Sequence, residues 1–175
     1  MSRIYLRELV ENDINENYLN CFKDDTVLSF LEVDGKNLTK EKVVEYIENG
    51  LKSKEYFMYA LCLKENDKHI GNVKIGPIDY KHMRSDLVTV LWDVKQWGKG
   101  LATEAIKAGN KIAFEKYNIR KLNGGIYENN IGSINAYTKA GWIVEARLRD
   151  HYILDGKFLD RVVVSCFNPK YETKK

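Results

Sequence analysis

"QWGKGLATEA", Gln96–Ala105, sets two glycines and a lysine in front of a segment with helical spacing, and it follows "DLVTVLW", Asp86–Trp92, which reads as a strand. Successive N–H groups of a tight glycine turn, followed by the unpaired N–H groups of a helix's first turn, make a site for anionic oxygens. The natural ligand is a phosphate. Gly98 and Gly100 allow a ligand to approach the main chain without a Cβ in the way, and Lys99 adds positive charge nearby. The nucleotide loop G-x-x-x-x-G-K-[ST] is absent, and G-x-G-x-x-G lacks its third glycine, since Thr103 stands there. On this stretch alone, a plain glycine turn ending a strand is an equal alternative.

Outward from the turn, Ala102, Ala105, Ile106, Gly109, Ile112, Ala113 and Tyr117 form one stripe of period 3.6 and predict the chain's strongest helix. Upstream, "EYFMYALCL" and "HIGNVKIGPI" are β-rich runs joined by the polar turn "KENDK", and with Asp86–Trp92 they predict an antiparallel meander. Ile4, Leu6 and Leu9 suggest a short first strand, and Asp13–Phe22 has helical spacing. Thr39 opens a second helix, "TKEKVVEYIENG", with Val43, Val44, Ile47 and Leu51 on one face. Downstream come the strand "IRKLNGGIY", the short helix "SINAYTKAG" with Gly141 as C-cap, and the strands "WIVEARLR" and "FLDRVVVSCF" across the turn "LDGK". The order β-α-α-β-β-β-α-β-α-β-β, without repeats or linkers, predicts one α/β (α+β) domain over residues 1–175: a mixed sheet with helices on its faces.

The segment "NNIGSINAYTKAGW" has the form N-x-x-S-x-x-x-Y-x-K-x-G-W, running from Asn130 through Ser133, Tyr137, Lys139 and Gly141 to Trp142, one strand after the glycine-turn helix. Here the sequence resembles the GNAT superfamily of acetyl-coenzyme A-dependent N-acetyltransferases. The likeness is specific from Asp86 to Val164. "IGNVKIGPI" and "RDHYILDGKFLDRVV" resemble the branch that holds ribosomal-protein alanine acetyltransferases and acetyltransferases of nucleotide-linked amino sugars. The resemblance implies a central, mostly antiparallel sheet of about seven strands with about four helices. It implies acetyl-CoA as cosubstrate, with the pyrophosphate on the turn formed by Trp97, Gly98, Lys99, Gly100, Leu101, Ala102 and Thr103. The strand around Val90, Leu91, Trp92 and Asp93 then splays from its neighbour and pairs its backbone with the pantetheine arm. Asn130, Ser133, Asn135 and Lys139 are implied as polar contacts to the coenzyme, with helix capping by Asn130 or Ser133 as a compatible role. Trp97 departs from the family pattern, which has Gln or Arg at that position.

Acetyl transfer from a thioester to an amine needs a neutral amine, stabilisation of the oxyanion and a proton for the departing thiolate. By motif match the general acid is Tyr137; the alternative is that Tyr137 only packs on the coenzyme with its hydroxyl bonded elsewhere. The resemblance places the oxyanion at a backbone N–H near Leu91 or Trp92. Asp86, which opens the strand toward the thioester, is the candidate base, beside Tyr127, Glu128, His82 and His151; deprotonation through water needs no dedicated side chain.

The acceptor is the least legible part. Tyr56, Phe57, Tyr59, Tyr80, Tyr152 and Phe158, with Arg147, Arg149 and Arg161, are able to stack on a ring and meet phosphates, which tilts the reading to a small-molecule amine such as a nucleotide-linked amino sugar. A protein N-terminus and a non-catalytic coenzyme-binding module are the alternatives. The formal charge of +3, with both signs interspersed, argues against nucleic acid, and the basic tail Lys170–Lys175 reads as solvated. Cys21, Cys62 and Cys166 lie far apart without a CxxC pair or neighbouring His, so no metal site or disulfide framework is expected. The start "MSRIYLREL" lacks an apolar signal core, and no apolar run approaches the roughly 20 residues that span a bilayer. A cytoplasmic protein, monomer or homodimer, is expected.

Overall fold

Seven strands form a single mixed sheet in the computed structural model, which describes residues 2–31 and 33–171. The strands are β1 (Ile4–Glu8), β2 (Phe57–Leu63), β3 (His69–Asp79), β4 (Arg84–Leu91), β5 (Lys121–Tyr127), β6 (Ile143–Leu154) and β7 (Lys157–Phe167). They lie in the order β1-β2-β3-β4-β5-β7-β6. Among the described residues, the only parallel contact is β4 with β5.

Five helices cover the two faces: α1 (Glu16–Cys21), α2 (Asp25–Leu28), α3 (Lys40–Ser53), α4 (Leu101–Glu115) and α5 (Ile131–Lys139). Strand alternation divides the core between them. Tyr59, Leu61 and Leu63 point to α4 and α5, where Leu87, Ile106, Leu122, Trp142 and Val164 fill the larger cluster. Ala60 and Cys62 point the other way, to Tyr18, Phe22, Val27, Val43, Ile47 and Trp92 under α1–α3.

Local chemistry explains where the structure departs from the sequence reading. The single turn α2 raises the helix number from four to five; it exists because the Asp24 carboxylate accepts from Thr26 N–H at 2.8 Å. Helix α1 begins at Glu16 rather than Asp13, because Asn15 caps it and Asp13 is held by Arg7 at 2.6 Å. Leu51, expected on the inner face of α3, is 52% exposed. The buried residue there is Gly50, where a Cβ would stand 2.4 Å from the ring of Tyr56. The β6–β7 hairpin runs longer than expected, turning at Asp155 and Gly156 with φ of 50° and 74°. The start of the tail is docked rather than free: Lys170 Nζ and the Tyr171 hydroxyl both donate to Asn118 Oδ1. Residues 172–175 lie outside the described residues.

Candidate active site

The site begins where two strands stop pairing. β4 and β5 run in register at Arg84–Lys121, Ser85–Leu122 and Asp86–Asn123, and pair no further, although β4 continues to Leu91 and β5 to Tyr127. β5 instead follows β7, pairing through Tyr127–Arg161. The result is a V-shaped gap whose apex is at Asp86.

The hydrogen-bond alternation of β4 determines what faces this gap. Trp92 N–H donates to Ile70 O at 3.1 Å, so Trp92 and Ile70 form a hydrogen-bonded antiparallel pair. Alternate residues then turn their backbone groups away from β3, which leaves the N–H and C=O groups of Leu87, Thr89 and Leu91 on the β5 side. Beyond the apex no strand meets them. Of the two amides expected to meet the oxyanion, Trp92 is therefore committed to β3, and Leu91 faces the gap with Thr89. Thr89 was not singled out from sequence, although its parity with Leu91 in "DLVTVLW" carries that signal.

Two side chains reach this edge. The Tyr137 hydroxyl, from α5, donates to Leu87 O at 2.8 Å. Tyr137 is buried, edge-on to Trp142, and burial pushes its phenol up to about 12, against the opposing effect of the neighbouring Thr89. The Thr89 hydroxyl itself is buried without a partner of good hydrogen-bond geometry. At the open end, the Trp97 indole N–H donates to Leu91 O at 2.7 Å, so Trp97 folds back over the end of β4.

The glycine turn lies just beyond. Gly98 and Gly100 have φ of 74° and 80°, a left-handed backbone that glycine adopts without strain. Gly100 is the N-cap of α4 and offers no side chain, so the amides of Leu101, Ala102 and Thr103 begin the helix without a capping partner. Arg3 fixes the turn from outside, donating to Lys99 O at 2.7 Å and pairing with Glu104 at 2.6 Å. The turn thus presents main-chain donors free of a side-chain cap, the arrangement that anion binding at a helix N-terminus requires.

The remaining coenzyme candidates are placed as follows. Val90 and Trp92 point away from the gap into the α1–α3 core. Asp93 accepts from Lys95 N–H and pairs with Lys68 at 2.6 Å, so its side chain holds the β4 end in place. Lys99 Nζ donates to Gln96. Asn130 caps α5 by accepting from Ser133 N–H at 3.1 Å, and Asn135 and Lys139 lie on the exposed face of that helix.

The opposite face of the sheet carries the other half of the site. Asp86 projects there with its neighbours by parity, Lys74 of β3, Tyr127 of β5 and Arg161 of β7. Burial raises the Asp86 carboxyl above the usual aspartate range, opposed by Arg161, Lys74 and Arg84. Tyr127 stacks on Tyr152 at 4.0 Å and meets Phe30 at 5.9 Å, forming an aromatic wall. Phe30, in the turn after α2, escaped the sequence reading because nothing in its local pattern places it near β5. Of the aromatic residues that were named, Phe57 and Tyr59 pack against Tyr117 in the α4 core, while Tyr80 donates to Lys54 O and Phe158 is 66% exposed. Tyr56 stacks on Tyr46 at 4.4 Å under Lys74. Glu128 accepts from Asp160 N–H, His82 is exposed, and His151 lies 3.4 Å from Arg161.

A splayed β4 edge, an uncapped α4 and a buried tyrosine at the apex thus meet at one end of the sheet. Residues 3–143 match the family described as "Acetyltransferase (GNAT) domain". The chain belongs to the GNAT acetyltransferases. It is 25% identical to the probable N-acetyltransferase YjcK of Bacillus subtilis, over 97% of this chain and 96% of that one. It is 29% identical to the spermidine N(1)-acetyltransferase of Escherichia coli, over 58% and 54%. The fold superposes on the spermidine N-acetyltransferase of Vibrio cholerae, solved with CoA and spermine, with a TM-score of 0.85 at 18% identity, covering 97% and 98% of the chains. It also superposes on the ribosomal-protein-S5-alanine acetyltransferase of Vibrio fischeri, with a TM-score of 0.83 at 17% identity, covering 99% and 97%. As a GNAT acetyltransferase this chain is an acyltransferase.

Proposed function

We propose that this acetyltransferase moves the acetyl group of acetyl-CoA to the primary amine of a small molecule by direct attack in a ternary complex. The observation that carries the reading is the continuity along one edge. From the apex at Asp86, main-chain groups of β4 that no neighbouring strand pairs lead to the uncapped N-terminus of α4.

In this reading Leu101–Thr103 and the glycine turn hold the pyrophosphate, and the β4 edge pairs with the pantetheine arm. The amine arrives from the face of Asp86, which takes its proton directly or through water. The nitrogen attacks the thioester carbon, and the N–H groups of Thr89 and Leu91 meet the oxyanion. Collapse breaks the C–S bond, and the thiolate takes a proton from Tyr137, whose phenol is protonated at neutral pH as any tyrosine is, with burial pushing it further up. No group of His, Cys, Asp and Glu suited to a metal occurs among the described residues, and none of these steps calls for one. A cytoplasmic setting fits the three free cysteines.

The test is a thiol-release assay with acetyl-CoA against nucleotide-linked amino sugars, amino acids, polyamines and N-terminal peptides. Saturable turnover on a small amine supports the reading. Turnover confined to peptides replaces it with a protein N-terminal activity.

A further inference from the structure

We propose that Arg161 binds an oxyanion of the acceptor, a carboxylate or a phosphate, so that the acceptor is an anionic amine rather than a polyamine. This rests on the acetyltransferase reading above, with the amine approaching Asp86.

The first support is position. Arg161 stands directly opposite Tyr127 across the β5–β7 ladder, on the same sheet face as Asp86 and beside the Tyr127–Tyr152 stack. Its guanidinium lies over the main chain of Gly125: a Cβ there would stand 2.1 Å from Nε and 2.5 Å from Cζ and Nη2. Gly125 is the residue that makes room for the cation at the edge of the gap.

The second support is the absence of a counter-charge. Nε is sealed from solvent and makes no hydrogen bond, and no carboxylate among the described residues lies within ion-pair distance of the guanidinium. The contact it makes is Nη1 to His151 Nε2 at 3.4 Å, a weak one. Arg84, by contrast, is neutralised by Asp79 at 2.8 Å. A guanidinium carries five donors and matches carboxylate and phosphate in a bidentate fork. Arg161 is half-buried, and with Nε covered, its terminal nitrogens are the ones left for a ligand.

The third support is the balance of charge. Among the described residues, the charged groups that act on Asp86 are Arg161, Lys74 and Arg84, all cations, and of these Arg84 is already paired with Asp79. Of the acids around this face, Glu128, just after β5, accepts from Asp160 N–H and faces Arg147 at 3.9 Å, and Glu145 is paired with Lys121 at 2.6 Å. A polycation entering here meets like charge, whereas a zwitterion sets its amine at Asp86 and its oxyanion at Arg161.

The test is steady-state kinetics on ethanolamine, O-phosphoethanolamine, β-alanine, a uridine-diphosphate amino sugar and spermidine, for wild type, Arg161→Gln and Arg161→Lys, with acetyl-CoA affinity measured by calorimetry. Wild type should favour the oxyanion-bearing amines over ethanolamine by about tenfold to a hundredfold in kcat/KM. Comparing the phosphate and carboxylate members then separates the two sources of the anion. Arg161→Gln should erase that preference while leaving acetyl-CoA affinity within about threefold, and Arg161→Lys should keep part of it. A preference for spermidine, equal loss on all amines in both variants, or bound acetyl-CoA with no turnover of any anionic amine overturns the proposal. Failure to bind acetyl-CoA would instead remove the acetyltransferase reading beneath it.

Discussion

The hydroxyl of Tyr137 meets the carbonyl of Leu87 at 2.8 Å, one residue past the last parallel pair of β4 and β5. The chain thereby places a phenol proton at the point where the sheet opens, on a group whose value burial raises above that of an ordinary tyrosine. Leu87 O faces the gap because of its parity in β4, so the contact follows from strand register as much as from α5.

Tyr137→Phe tests the acid role. The ring still packs on Trp142, and one hydrogen bond is lost, at a stability cost of about 1 kcal/mol. Turnover is expected to fall by about 10² to 10⁴, with acetyl-CoA affinity little changed. Stopped-flow thiol release and calorimetry check both. Equal loss in the two measurements would make Tyr137 a binding residue.

Gly100→Val tests the anion cradle. At φ of 80° a branched residue is strained by about 1–3 kcal/mol, so the melting temperature should drop modestly. The nearest atom to a Cβ there is Arg3 Nη2 at 3.7 Å, so the fold has room for it. Acetyl-CoA affinity should nevertheless fall below detection, because a branched residue resists the left-handed backbone that aligns the amides of the turn. Calorimetry showing unchanged affinity would place the pyrophosphate elsewhere.

Periodicity carries most of the fold, and contact between distant elements carries the rest. The meander, α4 and α5 follow from apolar spacing and caps visible within each segment. The gap between β4 and β5 is a failure to pair, decided by β5 following β7, and no residue in "DLVTVLW" announces it. Arg161 is among the residues the sequence offers for an anion, but its place over Gly125, like that of Phe30 against Tyr127, comes from contact between distant elements. Leu51 misled because its helical phase is right, yet the chain returns through Tyr56 and packs on Gly50 instead.

Trp97 supplies an optical readout. Its indole donates to Leu91 O, a main-chain group on the edge expected to pair with the pantetheine arm, and the ring is 45% exposed. Acetyl-CoA binding should displace the indole and change its emission, whereas Trp92 and Trp142 are buried and report little. Trp97→Phe should lose most of the fluorescence change while retaining affinity within about threefold, since the cradle is main chain. An unaltered signal in that variant would show that the arm leaves Leu91 untouched.

Asp86 allows stability and the proposed base role to be read through one carboxyl. Its folded-state value is raised by burial, so the native chain holds the proton more tightly than the unfolded chain. The ionised group therefore opposes folding: the penalty is absent below the ordinary aspartate value and grows as pH rises through the raised one. Asp86→Asn, which mimics the protonated form, should melt higher than wild type at neutral pH, and the difference should vanish near about pH 4. As a base, the same group must be ionised, so wild-type kcat/KM should rise with pH along a limb displaced above the usual aspartate range. The variant should lose that limb and fall by about 10² or more in rate. A more stable but inactive Asp86→Asn assigns the proton to this carboxyl. A variant with unchanged melting and retained turnover sends the amine's proton to water instead.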